Sequence, residues 1–172
     1  IDPDEECDDA NADPADGCVR CLFDCDRDTI ADQVDNCRGV PNLDQDVAAC
    51  AAATQNCAEM EGNRVDFSNA DLRGCSLDGG SHARDFTGAD LTCAYNRGNF
   101  TGDNNFTEAT MVRFHNRGNF TGDNNYTQAN LSEAIFGGNV NGDSLFVNAN
   151  LSGATSTGNF TGRKDFTDAD MS

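Results

Sequence analysis

The residues best suited to chemistry in this chain of 172 residues are carboxylates set on a fixed beat. The run DCDRDTIADQVDNC places Asp24, Asp26, Asp28, Ile30, Asp32 and Asp35 at positions one, three, five, seven, nine and twelve of a twelve-residue loop. That spacing wraps oxygens around Ca2+: alternation turns the first three carboxylates to one side, the carbonyl of Ile30 supplies the next ligand, and Asp35 closes the shell. Thr29 occupies the turn position where Gly is preferred. An acidic disordered tail would account for the charge but not for the spacing.

Thiols form the second reactive set. Cys7, Cys18, Cys21, Cys25, Cys37, Cys50 and Cys57 crowd the first third of the chain, and only Cys75 and Cys93 lie beyond it. A zinc site would need paired His or a second CxxC, but His82 and His115 lie far downstream, so the density reads as a disulfide framework made in an oxidising compartment. The acids share this bias: Ile1 to Glu61 holds 17 acids against 3 bases and the remainder 13 against 8, within a net charge of −19. Such crowded carboxylates stay solvated or gather around hard cations. The chain starts at Ile1 with neither Met nor an apolar signal stretch, as expected of a processed or partial chain, and no segment is long and apolar enough to span a membrane.

The elements that must carry these groups fall into three segments: a Cys-rich acidic calcium-binding segment (1–46), a short helix or N-terminal cap (47–62) and a solenoid (63–172). In the middle one, Ala-rich DVAACAAATQNCAEMEG sets Cys50 and Cys57 seven apart, on one face of a helix that would cover the first coil. Beyond it the rows DFTGADLTCAYNRGNFTGDN, NFTEATMVRFHNRGNFTGDN, NYTQANLSEAIFGGNVNGDS and LFVNANLSGATSTGNFTGRK repeat every twenty residues. Columns keep their chemistry, with Phe86, Phe106, Tyr126, Phe146 and Phe166 in one and Leu91, Met111, Leu131, Leu151 and Met171 in another. Apolar residues recur at two and five rather than three and four, and NRGNFTGDNN would break a helix, so the coil is β-like. Coils stacked about 4.8 Å apart place like side chains over like, filling a thin interior with Phe ladders.

The five-residue beat inside each coil, as in FSNADLRGCSL, FTGADLT and YTQANLSEAIF, resembles the pentapeptide-repeat family. That resemblance implies an all-β solenoid, a right-handed quadrilateral β-helix, in which Leu72, Leu91, Leu131 and Leu151 point inward with Ala70, Ala89, Ala129 and Ala149, while the Asn or Asp between them faces solvent. The second half of each coil departs from the pattern, since Leu91 to Phe100 is nine residues and Phe100 to Phe106 is six. One corner is therefore expected to be irregular around Gly98, Gly102 and their repeats, where Gly takes positive φ. The first coil, Asp66 to Arg84, is one residue short and its register is open. Cys75 is expected as a buried thiol, and His82 and His115 as surface residues.

Upstream, Asp24 to Asp46 looks like a thrombospondin type 3 repeat, although no DGDGxGD run follows. CDDANADPADGCVRC (Cys7 to Cys21) is similar to the myxobacterial disulfide repeat, with Ala10 in place of its Gly. Both resemblances imply a secreted, bacterial protein.

No nucleophile, base and orienting acid assemble from these residues, so a non-enzymatic extracellular structural protein is expected, without a small-molecule substrate. DFTDADMS begins a coil and leaves Phe166, Ala169 and Met171 as an apolar edge, so subunits are expected to stack head to tail into a filament or surface fibre. Two alternatives stand beside this. One is an acidic mimic of DNA that binds a topoisomerase, which the pentapeptide-repeat resemblance raises; the other is a monomeric adhesion or spacer module. No nucleic-acid partner is expected. Sequons occur at Asn99, Asn105, Asn119, Asn125, Asn130, Asn150 and Asn159, each expected to point outward as a possible glycosylation site, although a repeat with Asn before Phe and Thr after it creates sequons automatically.

Overall fold

A computed structural model describes residues 64–77, 80 and 82–172, together with the backbone of two short strands near the start of the chain. Those strands, β1 (Cys18–Val19) and β2 (Leu22–Phe23), pair antiparallel. The chain divides into two compact units, Ile1–Gln55 and Asn56–Ser172. The capping helix expected at 47–62 lies outside the described residues.

From Arg64 onward the described chain is a parallel β-solenoid with four faces per coil. The first face is a ladder through Asp66, Asp85, Asn105 and Asn125, continued by β8 (Asn124–Asn125), β10 (Ser144–Leu145) and β12 (Lys164–Asp165). The second runs through Asp71, Asp90, Thr110, Asn130, Asn150 and Asp170. The third is a sheet of β3 (Ser76–Leu77), β4 (Tyr95–Asn96), β6 (His115–Asn116), β9 (Ile135–Phe136) and β11 (Thr155–Ser156). The fourth joins β5 (Phe100–Thr101) to β7 (Phe120–Thr121) and extends through Gly80, Val140 and Phe160.

The core sits where the periodicity puts it. Leu72, Leu91, Leu131, Ala89, Ala129 and Ala149 are buried, while Ala70 and Leu151, nearer the two ends, are partly covered. Phe67, Phe86, Phe106, Tyr126, Phe146 and Phe166 stack one on the next with ring centroids 4.7 to 5.3 Å apart. A second column, Phe100 over Phe120 at 5.1 Å, meets the first edge to face, with Phe106 and Phe120 5.8 Å apart. Edge-to-face contact sets the positive rim of one ring against the negative face of the other, so the two columns lock. In the coil where Val140 replaces Phe in the second column, Phe136 replaces the inward Asn of the neighbouring face and meets Phe160 at 5.8 Å. Interior volume is kept by this exchange of large and small.

Corners follow two rules. On the regular side the turn residue has positive φ, and it is often not Gly: Glu108 at 59°, Gln128 at 59°, Arg113 at 53° and Glu133 at 57°. Stacked neighbours over-determine this left-handed turn, so a side chain with a Cβ is held there despite its intrinsic cost. On the irregular side Gly102, Gly122, Gly142 and Gly162 take φ of 82° to 115°, as expected. The Gly98 column has another cause. A Cβ on Gly118 would lie 1.7 Å from the carbonyl oxygen of Gly98, and one on Gly138 would lie 1.9 Å from that of Gly118, so glycine is required there by close backbone approach and not by positive φ.

The short first coil loses its residue between Leu77 and Gly80, because Ser76 pairs with Tyr95 at an offset of nineteen whereas Gly80 pairs with Phe100 at twenty. Gly80 therefore stands at the head of the Phe100 column without a ring. The Arg84 side chain fills that space, its guanidinium 5.4 Å from the Phe100 ring and 5.8 Å from Phe67, and a Cβ on Gly80 would meet it at 2.5 Å.

Candidate functional surfaces

Polar residues inside the coil are the first departure from the expected pattern. Asn96, Asn104, Asn116, Asn124 and Ser144 are buried, in the half of the coil where the sequence offered no inward set. Their amides form ladders: Asn96 Nδ2 donates to Asn116 Oδ1 at 2.7 Å, Asn104 Nδ2 donates to Asn124 Oδ1 at 2.9 Å, and Asn116 Nδ2 donates to the Gly118 carbonyl at 2.7 Å. Asn104 and Asn124 also reach back to the carbonyls of Gly102 and Gly122 at 2.9 and 2.8 Å. Asn supplies both donor and acceptor, so stacked amides bond one another and tie down the irregular corner, with the buried Asn96 Oδ1 left without a hydrogen-bond partner among the described residues. Where Ser144 interrupts the column its hydroxyl finds no partner, and Lys164 Nζ from the next coil donates instead to the carbonyls of Gly142 and Thr161. Burial lowers the Lys164 pKa.

Outward groups cap the corners. Thr87 and Thr107 donate their hydroxyls to Asp85 and Asn105 at 2.6 Å, and the backbone amides of the same threonines bond the same oxygens at 3.0 and 3.2 Å. Hydroxyl and amide donation from Ser68 lowers the pKa of Asp66, and donation from Thr167 does the same for Asp165. At the corner that follows the fourth face Asp123 and Asp143 donate their backbone N–H to Asp103 and Asp123 at 2.8 and 2.7 Å, and the Arg163 N–H caps Asp143, whose pKa is lowered first by that bond.

The six residues of the expected calcium loop, Asp24, Asp26, Asp28, Ile30, Asp32 and Asp35, lie outside the described residues, as do Cys7, Cys21, Cys25, Cys37, Cys50 and Cys57; for Cys18 only the strand backbone is described. Cys75 and Cys93 are buried, and both are disulfide-bonded, so Cys75 is not the free thiol expected. His82 is exposed, as expected. His115 is not a simple surface residue: it is half-buried on β6 between Tyr95 and Ile135 of neighbouring coils, and burial followed by the nearby Arg97 charge lowers its pKa. Among the described residues no three His, Cys, Asp or Glu side chains converge as metal ligands. Of the sequon asparagines, Asn99 and Asn159 are exposed and the other five are half-buried. The amide nitrogen of Asn105 is held by Thr87 at 2.9 Å and that of Asn119 by Asn99 at 3.0 Å.

At the last described coil the interior comes to the surface. Phe166 and Ala169 are half-buried and Met171 is 63% exposed. With Phe136, Leu151 and Phe160, Phe166 and Met171 line an open concavity of about 240 Å³.

Four faces, an inward residue at the centre of each regular face and a small inward residue two before it define the architecture. This is an all-β parallel solenoid of about twenty residues per turn, the architecture that the pentapeptide-repeat resemblance implied. No protein-family model and no curated protein matches the chain. Among solved structures it is similar to HetL, a pentapeptide-repeat protein involved in heterocyst differentiation regulation from the cyanobacterium Nostoc sp. strain PCC 7120. The identity is 16% and the TM-score 0.22, over 61% of this chain and 63% of that protein's length.

Two features of this coil escaped sequence reasoning. One is the inward Asn ladder, whose only signal was Asn at the same row position in successive coils, at 96 and 116 and at 104 and 124. The other is Arg84, the lone basic residue of its column until Lys164.

Proposed function

We propose that this chain is a non-enzymatic extracellular structural module whose solenoid associates head to tail into a filament. The observation that carries this reading is the stack itself, in which each coil offers the next the same apolar column, Phe67 through Phe166 with ring centroids 4.7 to 5.3 Å apart. An apolar terrace of this kind is a template for another coil. A second copy complements it by charge: Asp165, Asp168 and Asp170 are exposed around the terrace, and the exposed Arg64 lies over Phe67 at the opposite end of the solenoid. A contact between unlike ends is heterologous and propagates unless rotation closes it.

In this reading the Asp24 to Asp35 loop holds one Ca2+ ion and the cysteines staple the N-terminal segment, which suits an oxidising, calcium-rich exterior. Calorimetry of chelator-treated protein is expected to show calcium uptake that Asp26→Ala with Asp35→Ala abolishes. Sedimentation and electron microscopy of the native chain are expected to show concentration-dependent fibres, and Phe166→Lys with Met171→Lys to leave monomers. A native chain that stays monomeric at high concentration returns the reading to a spacer or adhesion module.

A further inference from the structure

The four faces of the solenoid differ in what they show to solvent. The first carries Asp85 and Asp165 and is interrupted by Leu145 and Val147. The second carries Asp71, Asp90 and Asp170, and the third Tyr95, Arg97, His115 and Arg117. The fourth is different. Its outward positions in four successive coils are Asn99 and Thr101, Asn119 and Thr121, Asn139 and Asn141, and Asn159 and Thr161. Every one is an uncharged group that can both donate and accept a hydrogen bond.

This array is flat and preset. Parallel pairing spaces its rows about 4.8 Å apart, and two residues of extended strand separate its columns by about 6.6 Å. Glycines border it on both sides, Gly98, Gly118, Gly138 and Gly158 along one edge and Gly102, Gly122, Gly142 and Gly162 along the other. The amide oxygens of Asn99, Asn119 and Asn139 accept the backbone N–H of the next row at 2.9, 3.0 and 2.9 Å. Thr101 and Thr121 are fixed to the carbonyls of Gly80 and Phe100 at 3.1 and 3.3 Å, and Thr161 to Asn141 Oδ1 at 2.8 Å. Side chains already held in place lose little entropy on binding.

A protein partner would be gripped by apolar anchors or opposite charge, and this face offers neither. What it matches is a partner that is itself a repeating lattice of donors and acceptors. We propose that the fourth face binds ice, because its row and column spacings lie close to the two principal repeats of oxygen atoms in hexagonal ice and its groups can order water on that lattice. The inference does not depend on self-association.

The test is the gap between melting and freezing temperature of single ice crystals in solutions of the full chain, with crystal shape as a second readout. The native chain is expected to open a gap and facet the crystals. Asn119→Lys with Thr121→Lys is expected to abolish both effects, whereas Thr107→Lys with Thr127→Lys on the first face leaves them intact. Should the first pair fail to fold by circular dichroism, Thr121→Tyr, which spares the Asn ladder, is expected to reduce the gap severalfold. Round crystals and no gap with the native chain, or an undiminished gap with the folded fourth-face variant, overturn the proposal.

Discussion

The two halves of each coil are stabilised by different means. In the first half, typified by Asp85 to Ala94, apolar side chains fill the interior and the residue types vary freely: Leu91 gives way to Met111, Ala94 to Phe114, and the turn position accepts Gly88, Glu108 or Gln128. In the second half, typified by Tyr95 to Asn104, the backbone of one coil lies so close on the next that Gly118, Gly138 and Gly158 admit no Cβ. Buried amides hold that half together. Hydrophobic packing is non-directional and forgives exchange at constant volume, whereas close approach and hydrogen-bonded ladders depend on single atoms.

Thermal or urea unfolding of single variants measures how deep this difference goes. The largest expected effect belongs to the first half: Phe106→Ala removes a ring stacked on Phe86 and Tyr126 at 4.9 and 5.0 Å and lowers stability by about 4 kcal/mol. Leu131→Met, at nearly constant volume in the same half, costs less than about 1.5 kcal/mol. Adding one methyl group to the second half is almost as damaging as removing a ring. Gly118→Ala must push the Gly98 carbonyl aside and costs about 3 kcal/mol, whereas Gly153→Ala in the first half, at φ 66° with its nearest neighbour 3.6 Å away, costs about 1 kcal/mol. Equal losses for the two glycines would erase the distinction.

Asn116→Ala comes next, at about 2 kcal/mol, since it orphans the Asn96 amide and the Gly118 carbonyl. The smallest effect has the opposite sign. Tyr126 is fully buried with no partner for its hydroxyl, and burial raises its pKa, so Tyr126→Phe is expected to raise stability by about 1 kcal/mol. A loss there would mean that the hydroxyl has a partner, such as an internal water.

What could be read from the residues follows the same division. The Phe and Leu columns declared their period, and the period dictated faces, register and the inward set. Nothing in the type Asn distinguishes an outward Asn99 from an inward Asn96, because both follow from a one-residue step in a strand whose periodicity is polar on both sides. Glycine was equally ambiguous: Gly122 is needed for its positive φ as well as for close approach, Gly118 for close approach alone, and the letter is the same. Arg84 could not be placed before the missing residue of the first coil had been located, since only then does an empty ring position appear beside it. The candidate surface of Asn and Thr was visible as letters but not as a surface, for the periodicity alone does not say which polar columns face outward.

Lys164 gives the solenoid a direction in which it can come apart. In the coils before it, a carbonyl at the irregular corner is bonded by an Asn of its own coil, as Gly102 is by Asn104 and Gly122 by Asn124. Gly142 depends instead on an ammonium from one coil later. Peeling the chain from its C-terminal side therefore strips a donor from the coil that remains, and the first step of unzipping weakens the second. A single Asn at position 144 would return that bond to the coil itself and let the penultimate turn stand without its neighbour.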